Sequence, residues 1–414
     1  MTSRFPATFL WGAATAAHQV EGNNTNSDVW FLENLPHTDF AEPSGAAIEH
    51  YDRYREDIAL LAGLGFNTYR FSLEWSRIEP EEGQFSPEAI SHYRDVLLAC
   101  RQHGLTTVVT LFHFTSPRWL LHSGGWESEQ TVEFFERYSH RVMRDLGDLI
   151  DVVCTINEPN LTWLLATFGV VEKDAEARAR TPMILSAAQE LGVAAQGLAP
   201  FLSCATERSY DVVLAAHRAA TRAVKSTHPD TPTGWTLANS AIHAAPGGEQ
   251  HAAAVREEVN LRFLRDSRGD DFVGIQNYGR TVYAADGLAP PPPDVELDQM
   301  GREIYPDGLA ETIREAAEVA QIPVMVTENG MCTDDDAQRL AYLEAALRGV
   351  AGCLTEGVDV RGYMAWSAFD NYEWTFGYGP KFGIIAVDRH TQQREPKPSA
   401  RWLGQVSQTN GSSL

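Results

Sequence analysis

The sequence predicts an α/β chain folded as a single (β/α)8 barrel, a TIM barrel, spanning residues 1–414 as one catalytic domain, and three observations carry that reading. Short apolar runs rich in Val, Ile, Thr and Phe alternate with longer stretches of helical spacing about eight times, the pattern of repeated βα units. The runs are near-continuously apolar, as parallel strands covered on both faces must be. The first run opens no GxGxxG turn, which counts against a doubly wound open sheet. Dividing 414 residues by a typical domain size would suggest two or three domains, but barrels of this class often reach that length as one unit.

In chain order the predicted strands are FLWGAATAA (9–17), TYRFSL (68–73), TTVVTLFH (106–113) and VVCTINE (152–158), then TPTGWTLAN (231–239), DFVGIQNYG (271–279), PVMVTENG (323–330) and RGYMAWSAFDN (361–371). Between them lie helical segments such as YDRYREDIALLAGLG, EAISHYRDVLLACRQHG, YDVVLAAHRAATRAVKSTHP and AQRLAYLEAALRGVAG. Several stop at Gly or Pro just before the next strand, at Gly104, Pro229 and Pro323, because neither residue continues a helix well. The proline run at 290–293 reads as a surface excursion of the loop after the sixth strand. The mixed segment from Val170 to Arg208 reads as part of the loop after the fourth.

Composition narrows the function classes. A formal charge of −23 and a pI near 4.9 repel phosphate backbones and anionic lipid, so neither nucleic acid nor membrane is an expected partner. Five scattered cysteines without a CxxC pair argue against a disulfide frame or a structural zinc site. The N-terminus lacks a basic region followed by an apolar stretch, and no run reaches the roughly 18 apolar residues of a membrane helix, so a cytoplasmic protein is expected. No HExxH or similar ligand spacing occurs, and neither metal nor cofactor is expected. The sequence does not specify an oligomeric state.

Chemistry in such barrels sits at the C-terminal ends of the strands. There the sequence carries His18, Gln19 and Glu21, then Arg70, His113, Asn157 and Glu158, then Gln276, Asn277 and Tyr278, Glu328 and Asn329, and finally Trp366, Asp370, Asn371, Glu373 and Trp374. Two ends share a grammar: CTINEP and MVTENG each push a glutamate out of an apolar strand beside an asparagine. Strands four and seven stand on roughly opposite sides of a closed mouth, so their glutamates can face each other. Paired carboxylates about 5–5.5 Å apart, one protonated and one ionised, would cleave a glycosidic bond with retention. The acid needs a raised pKa and the nucleophile a depressed one, and Arg70 or a tyrosine hydroxyl favours the charged form of whichever carboxylate it touches.

Over nearly its whole length the sequence resembles the glycoside hydrolase family 1 β-glycosidases, through FLWGAATAAHQVEG, YRFSLEWSRIEP, TINEPN, VTENG and AWSAFDNYEWTFGYGPKFGIIAVD. The resemblance implies a retaining β-glycosidase, foremost a β-glucosidase, with β-galactosidase or β-fucosidase activity also open, acting on a small β-glycoside or short oligosaccharide. It implies Glu158 as acid/base, Glu328 as nucleophile, and Arg70 and Tyr278 as partners of the nucleophile. It implies Gln19, His113, Asn157, Gln276, Trp366, Glu373 and Trp374 as sugar-binding residues. Glu373 would repel a 6-phosphate, so a plain sugar is implied. A transglycosidase using the same covalent intermediate stays open, as does a non-catalytic glycan-binding barrel, although such a protein would be free to lose one glutamate and both are present.

The sequence departs from the family in three places, one of them after the sixth strand, where Gln276, Asn277 and Tyr278 replace the more common NYY with Tyr278 still aligned. After the third strand the usual HHWDLP reads Phe112, His113, Phe114, Thr115, Ser116, Pro117, so altered support for that loop is expected. After Asn160, Trp163, Phe168, Met183, Ile184, Leu185 and Phe201 replace the usual glycine-rich loop and are expected to line an apolar entrance for a hydrophobic aglycone.

Overall fold

The structure is a computed structural model and describes residues 5–414. Eight parallel strands close into a barrel: β1 (Leu10–Ala14), β2 (Thr68–Ser72), β3 (Thr106–Phe112), β4 (Val152–Asn157), β5 (Thr233–Ala238), β6 (Val273–Asn277), β7 (Val324–Asn329) and β8 (Val360–Trp366). Each pairs with its sequence neighbours, and β8 pairs with β1 to close the ring. All eight predicted strands are present. Their burial explains their composition: β2, β4, β5, β6 and β7 are buried at every position, because helices cover them outside and side chains fill the barrel inside.

Helical packing follows the sequence signals. The helix Pro87–Gln102 starts with Pro87 behind Ser86, whose side chain accepts from the Ala89 amide, and the chain turns at Gly104 before β3. Thr206 and Ser209 form a reciprocal capping box on the 21-residue helix Glu207–Thr227. The proline run 290–293 is exposed in the excursion after β6, as expected. The segment 170–208 follows β4 and holds the helices Ala175–Arg178 and Pro182–Leu191.

Two predicted strands overran. The first ends at Ala14 and the chain turns helical at Ala17. The last ends at Trp366, and residues 367–371 form a loop despite the apolar Ala368 and Phe369. Side chains hold that loop: Asn371 donates to Ser367 Oγ and the Phe369 carbonyl, while Asp370 accepts from the Gly383 amide and Lys397. Backbone bonds to Ala14, Phe382, Ile384 and Ile385 complete its anchoring.

A second apolar cluster lies apart from the main core. It gathers Val29, Phe31, Leu32, Leu35 and Phe40 from the loop after β1, Met183, Ile184, Ala187 and Ala188 from the loop after β4, and Tyr372 and Tyr378 from the loop after β8. Trp374 packs against both clusters, so this second core steadies one wall of the barrel mouth. Among the described residues no helix is long and apolar enough to cross a membrane.

Candidate active site

The strand ends converge on one linked set of side chains. Arg70 on β2 is fully buried; its Nη1 donates to Glu328 Oε1 at 2.5 Å and to the Thr327 carbonyl at 3.2 Å. Tyr278, just past β6, donates its hydroxyl to Glu328 Oε2 at 2.6 Å. Both oxygens of Glu328 are therefore held. The other nitrogen of the Arg70 fork, Nη2, donates at 2.5 Å to Asn157 Oδ1, which also accepts from Thr236 Oγ1 and Gln276 Nε2.

Local backbone features aim the two glutamates. Register irregularities fall on both strands just before the acids, between Cys154 and Asn157 on β4 and between Val326 and Glu328 on β7. Such bulges re-aim side chains beside functional sites. Glu158 itself adopts a left-handed conformation, with φ 43°, costly for a residue with a Cβ. That turn lifts its carboxyl out of the strand direction. Past Glu328 the chain needs Gly330, where a Cβ would stand 1.9 Å from the Trp366 carbonyl oxygen.

The electrostatics separate the pair. Burial pushes the Glu158 carboxyl well above the usual range, and the charges of Glu328 and Glu373 push it further against the pull of Arg70. Burial also raises Glu328, so the depressed value expected from sequence is not what the structure gives: loss of water outweighs its partners. Arg70 and the Tyr278 hydroxyl nevertheless oppose that rise, whereas among the described residues no group hydrogen-bonds to the Glu158 carboxyl. Of the two, Glu158 is raised further and has no hydrogen bond opposing the rise.

Two outcomes follow. A raised folded-state pKa means that the unfolded chain releases the Glu158 proton first as pH rises. The contribution of Glu158 to stability is therefore lost progressively as pH rises above about 4.3. Glu158→Gln, which has no proton to lose, should melt higher than wild type at neutral pH, with the gap closing as pH falls toward 4; a gap independent of pH would contradict the assignment. Arg70→Met should cost about 3–5 kcal/mol in urea unfolding, because it strands a buried carboxylate.

The remaining predicted residues form the wall. Gln19 donates through Nε2 to the Tyr372 carbonyl at 2.6 Å, Asn371 Oδ1 at 3.2 Å and Glu373 Oε2 at 3.3 Å. Its own oxygen has no protein partner. Asn157 Nδ2 meets His113 Nε2 at 3.2 Å; an amide nitrogen can only donate, so the neutral ring carries its proton on Nδ1, which has no protein partner. Burial, then Arg70, holds His113 far below the usual imidazole range. Trp366 lies nearly parallel to His113 with centroids 5.9 Å apart, and Trp374 nearly parallel to both His113 and His18. Glu373 is half-buried and pushed up to about 8 by burial, with Arg302 pulling it back.

Ten of the eleven residues named from sequence as catalytic or sugar-binding make these hydrogen bonds or ring contacts, and the Glu158 carboxyl is linked to Glu328, Arg70 and Glu373 by charge. The family model for glycosyl hydrolase family 1 matches residues 1–280 and 276–412, together nearly the whole chain. The chain belongs to glycosyl hydrolase family 1. It is 32% identical over 449 residues to a β-glucosidase of Agrobacterium sp., covering 98% of this chain and 96% of that one. A crystal structure of the β-glycosidase BGL167 superposes with a TM-score of 0.98 at 65% identity, covering 99% of both chains. A β-glucosidase of Thermotoga maritima, solved in complex with deoxynojirimycin, superposes at 0.84 with 27% identity, covering 99% of this chain and 100% of that one. The chain is a β-glucosidase-like glycoside hydrolase on an eight-stranded barrel.

Within this family 1 barrel, other rim groups serve the scaffold. Asn329 ties β7 to the Asn277 carbonyl, Tyr342 and Tyr363. Glu21 is taken up by Arg77 and Tyr93. The loop after β3, where altered support was expected, is held by Thr115, which donates to Glu74 at 2.8 Å, and by the Ser116 amide, which donates to Asp28 at 2.8 Å. Both acids are buried, and Asp28 is raised by burial to about 8.

The expected apolar entrance is corrected. Trp163 is buried under the Arg262 guanidinium, Met183 and Ile184 belong to the second core, and Phe201 packs against Phe112, Phe114 and Trp126. Of the six, only Phe168 and Leu185, at 38% and 50% exposure, reach solvent substantially. Sequence reasoning also missed Arg302, Asp298 and Phe382. They lie in irregular loops with no periodicity to mark them.

Proposed function

We propose that this family 1 enzyme is a retaining β-glycosidase that removes a terminal β-D-glucosyl, galactosyl or fucosyl residue through a covalent glycosyl-enzyme intermediate. The observation that carries this reading is the asymmetry of the glutamates: Arg70 and Tyr278 both bind Glu328, and neither binds Glu158. Glu328 attacks the anomeric carbon as its bond to the leaving oxygen breaks, and Glu158 gives its proton to that oxygen. Water then attacks the same carbon, losing a proton to Glu158, and Glu328 departs. Two inversions leave the configuration retained.

Gln19, His113, Asn157, Gln276 and Glu373 supply the polar partners for the sugar hydroxyls, and Trp366 and Trp374 the aromatic planes for its C–H faces. The Thermotoga maritima relative solved with deoxynojirimycin supports a monosaccharide-sized ligand in such a site. Five buried cysteines without a disulfide support a reducing, cytoplasmic setting.

A panel of p-nitrophenyl β-glycosides, with the anomeric configuration of the first-formed product followed by NMR, tests the proposal. Retention with at least one of the three sugars is expected; inversion, or no cleavage of any, would overturn it. The pH profile of kcat/KM should be bell-shaped. Activity falls as pH drops through the Glu328 pKa, lifted by burial, and as pH rises through that of Glu158, lifted further.

A further inference from the structure

One cation stands at the mouth beside these acids. Arg302, in the excursion after β6, places its guanidinium 5.6 Å from the Tyr278 ring centroid and 5.5 Å from that of Phe382. Tyr278 is the residue that holds Glu328 at 2.6 Å, so Arg302 borders the reaction centre. Its charge also acts on Glu373, opposing the rise that burial imposes there.

Arg302 is held on one side and open on the other. Nε and Nη2 donate to Asp298 Oδ2 at 2.9 and 2.6 Å, and Nη2 lies 3.8 Å from Cys332 Sγ. The second oxygen of Asp298 accepts the backbone amides of Met300 and Arg302. Asp298 is thus fully used and 4% exposed, while the Arg302 side chain is 36% exposed. Among the described residues, Nη1 has no hydrogen-bond partner. A preset guanidinium with one free donor edge suits planar recognition of a carboxylate.

The position decides which half of the substrate it serves. On the reading proposed above, the sugar is enclosed by buried groups and the half-buried Glu373 carboxyl, and an anionic substituent on that ring would meet Glu373. The leaving group projects outward, where Arg302 is exposed. The chain's net charge of −23 would otherwise disfavour an anionic leaving group.

We propose that Arg302 selects the leaving group, its free Nη1 edge receiving a carboxylate carried by the aglycone of the β-glycoside. The proposal rests on the glycosidase reading, and its test separates the two. Hydrolysis of 3- and 4-carboxyphenyl β-D-glucosides is compared with that of their methyl esters in wild type, Arg302→Met and Arg302→Lys. The differing phenol acidities cancel when the acid-to-ester ratio of kcat/KM is compared between proteins.

At low salt that ratio should be about tenfold higher in wild type than in Arg302→Met for at least one isomer, with Arg302→Lys between them and the difference residing in KM. In 0.5 M NaCl the advantage should shrink, because an exposed pair is screened. Arg348→Met, which removes an exposed cation from an outer helix, should leave the ratio unaltered. Equal ratios in wild type and Arg302→Met would overturn the proposal, and cleavage of neither acid nor ester by wild type would overturn the glycosidase reading beneath it. Should the variants not fold, inhibition of wild type by 4-carboxyphenyl 1-thio-β-D-glucoside and its methyl ester decides: an inhibition constant about tenfold lower for the acid at low salt supports the role, and equal constants refute it.

Discussion

Turnover of an aryl β-glucoside by Glu328→Gly is expected to fall by a factor on the order of 10⁴ or more, since removing a covalent nucleophile abolishes the pathway and does not merely slow it. The variant should keep its fold: glycine leaves space at the site, and Arg70 retains Asn157 and the Thr327 carbonyl as acceptors. Added azide or formate should enter that space, attack the anomeric carbon from the side Glu328 occupied, and restore part of the rate. The azide product would carry inverted configuration, because one displacement has replaced two. Near-normal turnover without added anion would sink the assignment of Glu328.

Glu158→Gln is the second large effect, and it should depend on the substrate. General acid catalysis contributes about 10²–10⁴-fold, so hydrolysis of a glucoside with a basic alkyl leaving group should drop through most of that range. Departure of dinitrophenolate needs little proton donation, so formation of the glycosyl-enzyme from a dinitrophenyl glucoside should be nearly unimpaired. With that substrate the covalent intermediate should accumulate, since the water that releases it has lost its base. The alkaline limb of the pH profile should vanish as well. Equal losses for both leaving groups would mean that Glu158 is not the proton donor.

The carboxyl-to-amide change at position 158 also exposes a conflict between stability and chemistry. The residue is held at positive φ and is 7% exposed, and among the described residues its carboxyl receives no hydrogen bond. Each of those features opposes folding, and each favours a proton kept for a leaving oxygen. The six residues of β4 just before it, Val152–Asn157, are all buried and none has positive φ.

Much of the molecule could be read along the chain. The eight strands were legible because burial on both faces leaves an unbroken apolar run, and their carboxyl ends because polar groups interrupt such runs abruptly. Boundaries were less legible where Ala368 and Phe369 continue the apolar pattern through a loop that side-chain hydrogen bonds hold. The apolar entrance was misread for a related reason. Met183, Ile184 and Phe201 are hydrophobic, but irregular segments have no period that tells inward from outward, and these residues found cores to fill.

By itself the sequence determined the barrel, the two glutamates at its strand ends and the kind of bond they can break, because strand periodicity and side-chain chemistry are local properties. Only the tertiary structure decided which groups surround each glutamate. Arg70 and Glu328 lie 258 positions apart, and closing the barrel joins them while leaving the Glu158 carboxyl without a hydrogen-bond partner among the described residues. Only it, too, decided that burial raises both carboxyls, and that Arg302 stands at the mouth with one edge open. Solvation and charge pairing depend on what surrounds a group in three dimensions, and its neighbours along the chain do not specify that.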